Sequence, residues 1–387
     1  MQTVERDATS AETPPGGNGV RAVPDVHLSE AHLAAARAVL DEAVGRDNVR
    51  LAFVSGSLAA GLGHGLSDVD LYVVTTDDAP RPEVSYERDG FVVQLTPVSH
   101  AELDRIVRIC RGYTDTATDR WQTGLSDVEL QRAVRFSIGT VLADNGSGVP
   151  EAAQARLTVR RVLMNRSAYQ LNSYAEDALG ALQVGDTLTA LQTSLIAVEL
   201  SLECVLSGVG DVYLGRKFHL RRAARSAALR EVLNDVWESL RQPADLGCAQ
   251  TARQIVVRRL LLVSHLVAHA LLGGWEAPLE RVPGFADRRA EGGPVRSPWV
   301  TPVRFSDSWG MSGPDIGYRV TEAMVRVWAA LDGRPREELS TAAQDTFLQD
   351  VPQELLDAAV TRLVESGAAV PDGAPIRIEN KEGGVRL

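Results

Sequence analysis

Lysine is nearly absent from this 387-residue chain: arginine supplies all but two of its 40 basic side chains, and the two lysines are Lys217 and Lys381. A lysine kept in such a background marks a place where a compact ammonium is wanted, or one that chance has spared. Cysteine is equally sparse. Cys110, Cys204 and Cys248 are odd in number and lack metal-ligand spacing, which excludes a disulfide framework and points to a reducing compartment. The first residues lack a basic stretch followed by an apolar core, so no secretory signal is expected. No unbroken apolar run approaches the roughly 18 residues that a membrane span requires. A basic excess is missing too. The net charge of −11 leaves no global field to gather polyanions, which argues against a polymerase on a nucleic-acid template. These absences together lead us to expect a cytoplasmic protein with no membrane partner, long enough for two or three domains.

What is present is concentrated in residues 53–74, which run Phe53-Val54-Ser55-Gly56-Ser57, through a glycine-rich loop containing His64, to Ser67-Asp68-Val69-Asp70-Leu71-Tyr72-Val73-Val74. The pattern is a buried strand, a small-residue turn, a loop, and a second strand that opens with two carboxylates. Alternation puts Asp68 and Asp70 on one face of that strand. Two such carboxylates repel unless a divalent cation lies between them. Gly56 and Ser57 end the first strand, where backbone N–H groups can meet an anion. An anion cradle beside a cation-binding carboxylate pair is the minimum for phosphoryl or nucleotidyl transfer.

Gly56-Ser57, ten intervening residues and Asp68-Val69-Asp70 resemble the signature of the DNA polymerase beta nucleotidyltransferase superfamily, and most of all its small-molecule members such as the aminoglycoside nucleotidyltransferases. The likeness covers residues 28–110 by motif and the helical stretch after them more loosely. It implies an α+β fold in which a mixed sheet with helices is followed by an α-helical bundle. It also implies Mg2+ as cofactor, held by Asp68 and Asp70, and ATP as co-substrate, with Gly56, Ser57 and Ser67 around the nucleotide. Relatives often carry a lysine after the second long bundle helix that reaches the phosphates, a role that falls here on Lys217. They also place a third carboxylate on a later strand. The matching strand here reads Val93-Gln94-Leu95, and an amide cannot act as a base. Glu87 on the preceding strand could substitute, the base could come from Glu176 or Asp177 of the bundle, or transfer could have been lost; Glu199 either points into the cleft or flanks the core.

Read in order, the chain divides into a disordered leader (1–24), a nucleotidyltransferase domain (25–112), a helical bundle (113–275), a linker or irregular cover (276–317) and a winged-helix domain (318–387). An amphipathic helix at 28–44 should cover one face of the sheet, and Asp89-Gly90 should turn a hairpin between strands at 84–87 and 91–97. Helical periodicity runs through 128–143, 157–182, 188–206, 229–240 and 252–272. His265 and His269 lie four apart with Leu, Val and Ala as neighbours, and read as packed helix residues rather than zinc ligands. Trp299, Phe305 and Trp309 imply that part of the linker packs.

Three short helices and an expected hairpin pairing 368–370 with 376–378 give the C-terminal end a winged-helix pattern. Its run Trp328-Ala329-Ala330-Leu331-Asp332-Gly333-Arg334-Pro335 with the later Glu365-Ser366-Gly367 is similar to PqqD-like peptide-recognition domains of peptide natural-product pathways. DNA is an unlikely partner, since residues 318–387 hold eight basic and twelve acidic side chains, a balance of −4. The expected function is transfer of AMP from ATP to a small-molecule or peptide acceptor, in biosynthesis or antibiotic modification. The rival expectation is a catalytically degenerate fold that binds a peptide for a partner enzyme.

Overall fold

Serines set the start of the first helices. The computed structural model describes residues 26–242, 248–314, 316–341, 347–349, 351–376 and 378, so the expected leader and Lys381 lie outside the described residues. Ser29 opens α1 (Glu30–Ala43), which leads into β1 (Val49–Ser55), the single turn α2 (Gly56–Ala59) and β2 (Val69–Thr75). The hairpin β3 (Val84–Arg88) and β4 (Phe91–Pro97) follows, turned by Asp89 and Gly90 with φ of 54° and 80°. Two left-handed residues in sequence twist a two-residue turn to match its strands, as the Asp-Gly pair predicts. Ser99 and Ser126 then open α3 (His100–Cys110) and α4 (Asp127–Ile138), each in a reciprocal capping box with the glutamate three residues on.

The chain next does something the periodicity conceals. Residues 140–143 continue a helical stripe, yet they form β5 (Thr140–Asp144), which pairs with β1 as an edge strand. Gly139 is the cause. A Cβ there would lie 2.9 Å from Phe53 and 3.0 Å from the Arg135 carbonyl, so α4 ends pressed against β1 and the chain leaves extended. The mixed sheet therefore has the order β3-β4-β2-β1-β5, parallel only between β2 and β4, and draws its fifth strand from the stretch expected to be purely helical. One face packs Ala52, Val54, Leu71 and Val73 on Leu33, Ala36, Val39 and Leu40 of α1, as expected. The other turns Phe53 and Tyr72 toward α3 and α4, where Ile106, Val134 and Phe136 meet them.

The bundle is built on α5 (Ala152–Gln183), α6 (Thr187–Gly208) and, after α7 (His219–Arg225) and α8 (Leu233–Arg241), on α9 (Ala249–Gly273). Two of these helices, α6 and α9, are long and apolar enough to cross a membrane by length and mean hydropathy, although neither holds an unbroken apolar run of that length. Their apolar windows are 56% and 89% buried inside the protein, which places both in the bundle core.

Beyond the bundle, part of the expected linker is ordered structure. After β6 (Val295–Arg296), an antiparallel three-stranded sheet of β7 (Thr301–Arg304), β8 (Trp309–Gly313) and β9 (Ile316–Val320) runs through residue 317, with Trp299, Phe305 and Trp309 buried. The expected helices follow as α10 (Glu322–Ala330), α11 (Arg336–Thr341) and α12 (Gln353–Glu365). The wing differs from expectation. β10 (Ala369–Val370) pairs with β6, far back in the chain; neither Ile376 nor Ile378 lies in a strand, and residue 377 of the expected hairpin is outside the described residues. Trp328 secures this arrangement, fully buried with its indole N–H donating to the Ala368 carbonyl at 3.0 Å.

Candidate active site

Strand register brings the motif together. Ser55 stands opposite Asp70, and Asp70 stands beside Gln94 on the parallel neighbour, so the three lie in one row on the sheet face that looks toward α4. Gly56 begins the next turn with φ 89°, in the left-handed region. A Cβ at this position would sit 1.7 Å from Asp70 Oδ2, so the turn can approach the carboxylate this closely only because residue 56 is glycine. Ser55 fixes the far side of the row by donating its hydroxyl to the Arg135 carbonyl at 2.6 Å.

Asp68 and Asp70 are both partly buried, and among the described residues neither makes a hydrogen bond or ion pair. Burial pushes the Asp70 carboxyl up to about 6. Arg135 pulls it down, Asp68 and Glu83 push it further up, and Lys217 pulls it down again. These five side chains come from four parts of the chain, and the other four all act on Asp70.

Two of the five escape sequence reasoning. Glu83 precedes β3, is exposed, and takes hydrogen bonds from Gln94 Nε2 and from Thr96 Oγ1, the latter at 3.1 Å. Gln94, itself no base, thereby ties a carboxylate to the strand beside Asp70. Glu87 is exposed opposite Val92, and it is not among the groups that act on Asp70. Arg135 projects from α4 with its guanidinium 5.2 Å from the Tyr213 ring centroid and 3.3 Å from that hydroxyl. A period-3.6 stripe could have flagged Arg135 as an interior arginine among apolar neighbours; only the three-dimensional register reveals Glu83.

Lys217 lies in the turn Arg216–Phe218, with Nζ 4.8 Å from the Phe218 ring centroid. Next to it Arg216 pairs with Glu199 at 3.2 Å, so Glu199 borders the site. Ser57 and Ser67 flank the loop. Ser67 accepts the His64 N–H at 3.0 Å, while His64 Nδ1 accepts the Leu66 N–H at 3.2 Å, so both close the loop on itself. Glu176 and Asp177 are exposed on α5 and stand apart from this group.

No protein-family model matches the chain, and no curated protein sequence matches it. Among solved structures it is similar to a nucleotidyltransferase-like protein from Exiguobacterium sibiricum 255-15, at 17% identity and a TM-score of 0.37, over 62% of this chain and 76% of that one. So distant a likeness carries no weight. What the site can do rests on its own residues.

Those residues suit a hard divalent cation. Among the described residues no three His, Cys, Asp or Glu side chains are grouped tightly enough to cage a metal alone. Mg2+ does not need such a cage, because it keeps waters and takes one or two carboxylates together with substrate phosphates. Asp68 and Asp70 offer oxygen donors with no competing partner, and Asp70 gains from any cation that relieves its burial. A cavity of about 540 Å3 lies elsewhere, between α9 and residues 373–376. It holds none of the chemistry gathered around Asp70.

His265 and His269 contrast with this site. Their rings meet edge to face with centroids 4.6 Å apart, His269 packs on Phe347 at 4.5 Å, and His265 Nε2 meets the Pro283 carbonyl at 2.9 Å. Among the described residues no carboxylate completes a metal site there, and both act as packing residues.

Proposed function

We propose that the protein is a Mg2+-dependent nucleotidyltransferase that moves a nucleoside monophosphate, AMP from ATP, onto a small-molecule or peptide acceptor. One observation carries the reading: Asp68 and Asp70 are partly buried and unpaired on one strand face, with Gly56 packed against Asp70 and two cations opposite. A protein does not leave two neighbouring carboxylates without partners unless a ligand supplies the positive charge. Asp68 and Asp70 would hold Mg2+, which would supply charge neutralisation and Lewis acidity at the triphosphate.

The chain's own residues perform the rest. The turn at Gly56 and Ser57 cradles the terminal phosphates, and Ser67 holds the loop that carries Asp68. Lys217 and Arg135 offset the negative charge that grows on departing pyrophosphate. Glu83, oriented by Gln94 and Thr96, takes the proton of the acceptor in place of Glu87. Arg132, 5.4 Å from the Tyr72 ring centroid and paired with Glu102 at 3.7 Å, adds a third basic side chain on the same sheet face.

A second reading keeps the binding and drops the chemistry. It is favoured by the amide of Gln94 in the carboxylate row and by the C-terminal unit, whose pattern suits peptide capture. Calorimetry with Mg2+ and each nucleoside triphosphate, followed by mass spectrometry of candidate acceptors, separates the two. A mass gain on an acceptor supports transfer; nucleotide binding with no product supports the second reading; no nucleotide binding overturns both the nucleotide and the metal assignment.

A further inference from the structure

The loop between the motif turn and Asp68 is short of partners for its own backbone. Residues 60–63 are Ala, Gly, Leu and Gly, with no side-chain donor among them, and their carbonyls are met by two arginines of α7. Arg221 donates to the Leu62 carbonyl at 3.0 Å and to that of Gly63 at 3.4 Å. Arg225 donates to the carbonyls of Ala60 and Gly61 at 3.0 and 3.2 Å. Both residues belong to the bundle and the loop belongs to the sheet, so these bonds cross from one to the other over about 160 residues of sequence.

Arg225 is itself held. Its Nε and Nη2 both donate to Asp211 Oδ2, at 2.9 and 2.7 Å, and Asp211 Oδ1 takes the Nε of Arg222 at 3.1 Å. Arg222 is fully buried and bonded to both oxygens of Glu203 at 3.1 Å, and Glu203 meets His219 Nε2 at 2.8 Å. Charges buried with every partner in place do not drift, because any displacement leaves one of them uncompensated. Lys217 sits two residues before His219, so the same anchor fixes its turn.

We propose that Arg221 and Arg225 are positioning residues that hold the motif loop against the bundle, so that α7 sets the loop and Lys217 as a single piece. This rests on the transfer reading for what the loop serves, not for how it is held. Neither arginine touches a reacting atom; each acts through the loop that joins Gly56-Ser57 to Asp68.

The test compares the full-length protein with Arg221→Gln and Arg221→Lys. Hydrogen exchange of a peptide covering 58–68 is expected to quicken about tenfold in Arg221→Gln, while one covering 190–206 is unchanged. The dissociation constant for ATP with Mg2+ is expected to rise about tenfold with kcat nearly constant, and Arg221→Lys, which keeps a donor, is expected to recover most of both changes. Unchanged loop exchange in Arg221→Gln overturns the proposal, and so does faster exchange with unaltered nucleotide affinity. Should the native protein bind no triphosphate, the transfer reading fails, and loop exchange alone decides whether the arginines hold the loop.

Discussion

The protein carries two clusters of partly or fully buried carboxylates, and it treats them in opposite ways. Glu203 and Asp211 are surrounded by Arg222, Arg225 and His219, with every oxygen bonded, and these partners hold the Glu203 carboxyl below its usual range despite its burial. Asp68 and Asp70 have cations at a distance and no bonded partner, and Asp70 is pushed up to about 6. Burial is the largest influence on both Glu203 and Asp70; partners decide the sign. A saturated cluster is a fixture. An unsaturated one is a vacancy in charge that a ligand can fill.

The comparison breaks most sharply on Asp70. Asp70→Asn should lower transfer by about 10³-fold, since it removes a ligand for the charge that stabilises the transition state. The fold should survive, because the substitution deletes a partly buried charge that has no partner. A variant that unfolds would show Asp70 to be structural after all. Glu203→Ala should do the reverse. It strands the guanidinium of Arg222, which is wholly buried, and should cost about 3–5 kcal/mol in denaturant unfolding. Stability unchanged by this substitution would remove the distinction between the two clusters.

A smaller effect tests the bonded carboxylate that lies near the unsaturated cluster. Glu83→Gln should reduce kcat by about tenfold to a hundredfold, and Glu87→Gln by less than about threefold, if the carboxylate beside Gln94 accepts the proton. Steady-state rates of the two variants at one pH suffice. The opposite order would return the role to Glu87.

This pair also shows where sequence reasoning stops. Asp68, Asp70 and Gly56 are legible because their relation is local: strand alternation and one turn place them. Lys217 stands out through lysine scarcity and its position after α6. Glu83 does not, because its place depends on how β3 pairs with β4 and how β4 lies against β2, a register set by the whole sheet. Glu87 lies on the same face as Glu83 but four residues further along, opposite Val92 and away from Gln94. β5 was hidden by a different cause. Thr140, Val141, Leu142 and Ala143 fit a helical stripe, and only the collision awaiting any side chain at Gly139 turns them into a strand. The β6–β10 pairing joins residues more than 70 apart, beyond any local pattern.

The smallest effect is a pH dependence in which the two kinds of buried group oppose each other. Asp70 has its carboxyl raised from 3.8 to about 6 in the folded protein. Between those values the native state holds a proton that the unfolded chain has lost, so on this account stability falls as pH rises through the window. His265 is lowered from 6.5 to about 4 by burial, by Arg296 and against the pull of Pro283 and Asp332, and His269 is lowered further by burial, His265 and Arg296. There the unfolded chain holds the extra protons, so stability rises with pH from about 4 to 6.5. The slopes partly cancel in the native protein. Asp70→Asn should therefore make Tm climb more steeply between pH 4 and 6, and His269→Phe, facing Phe347, should flatten or reverse the climb. Mg2+ should raise the Tm of the native protein more at pH 7 than at pH 5, because only the ionised Asp70 attracts it, and should leave Asp70→Asn nearly unmoved. An equal Mg2+ increment in both proteins would mean that the cation binds elsewhere, and that the unpaired carboxylates answer to something other than a metal.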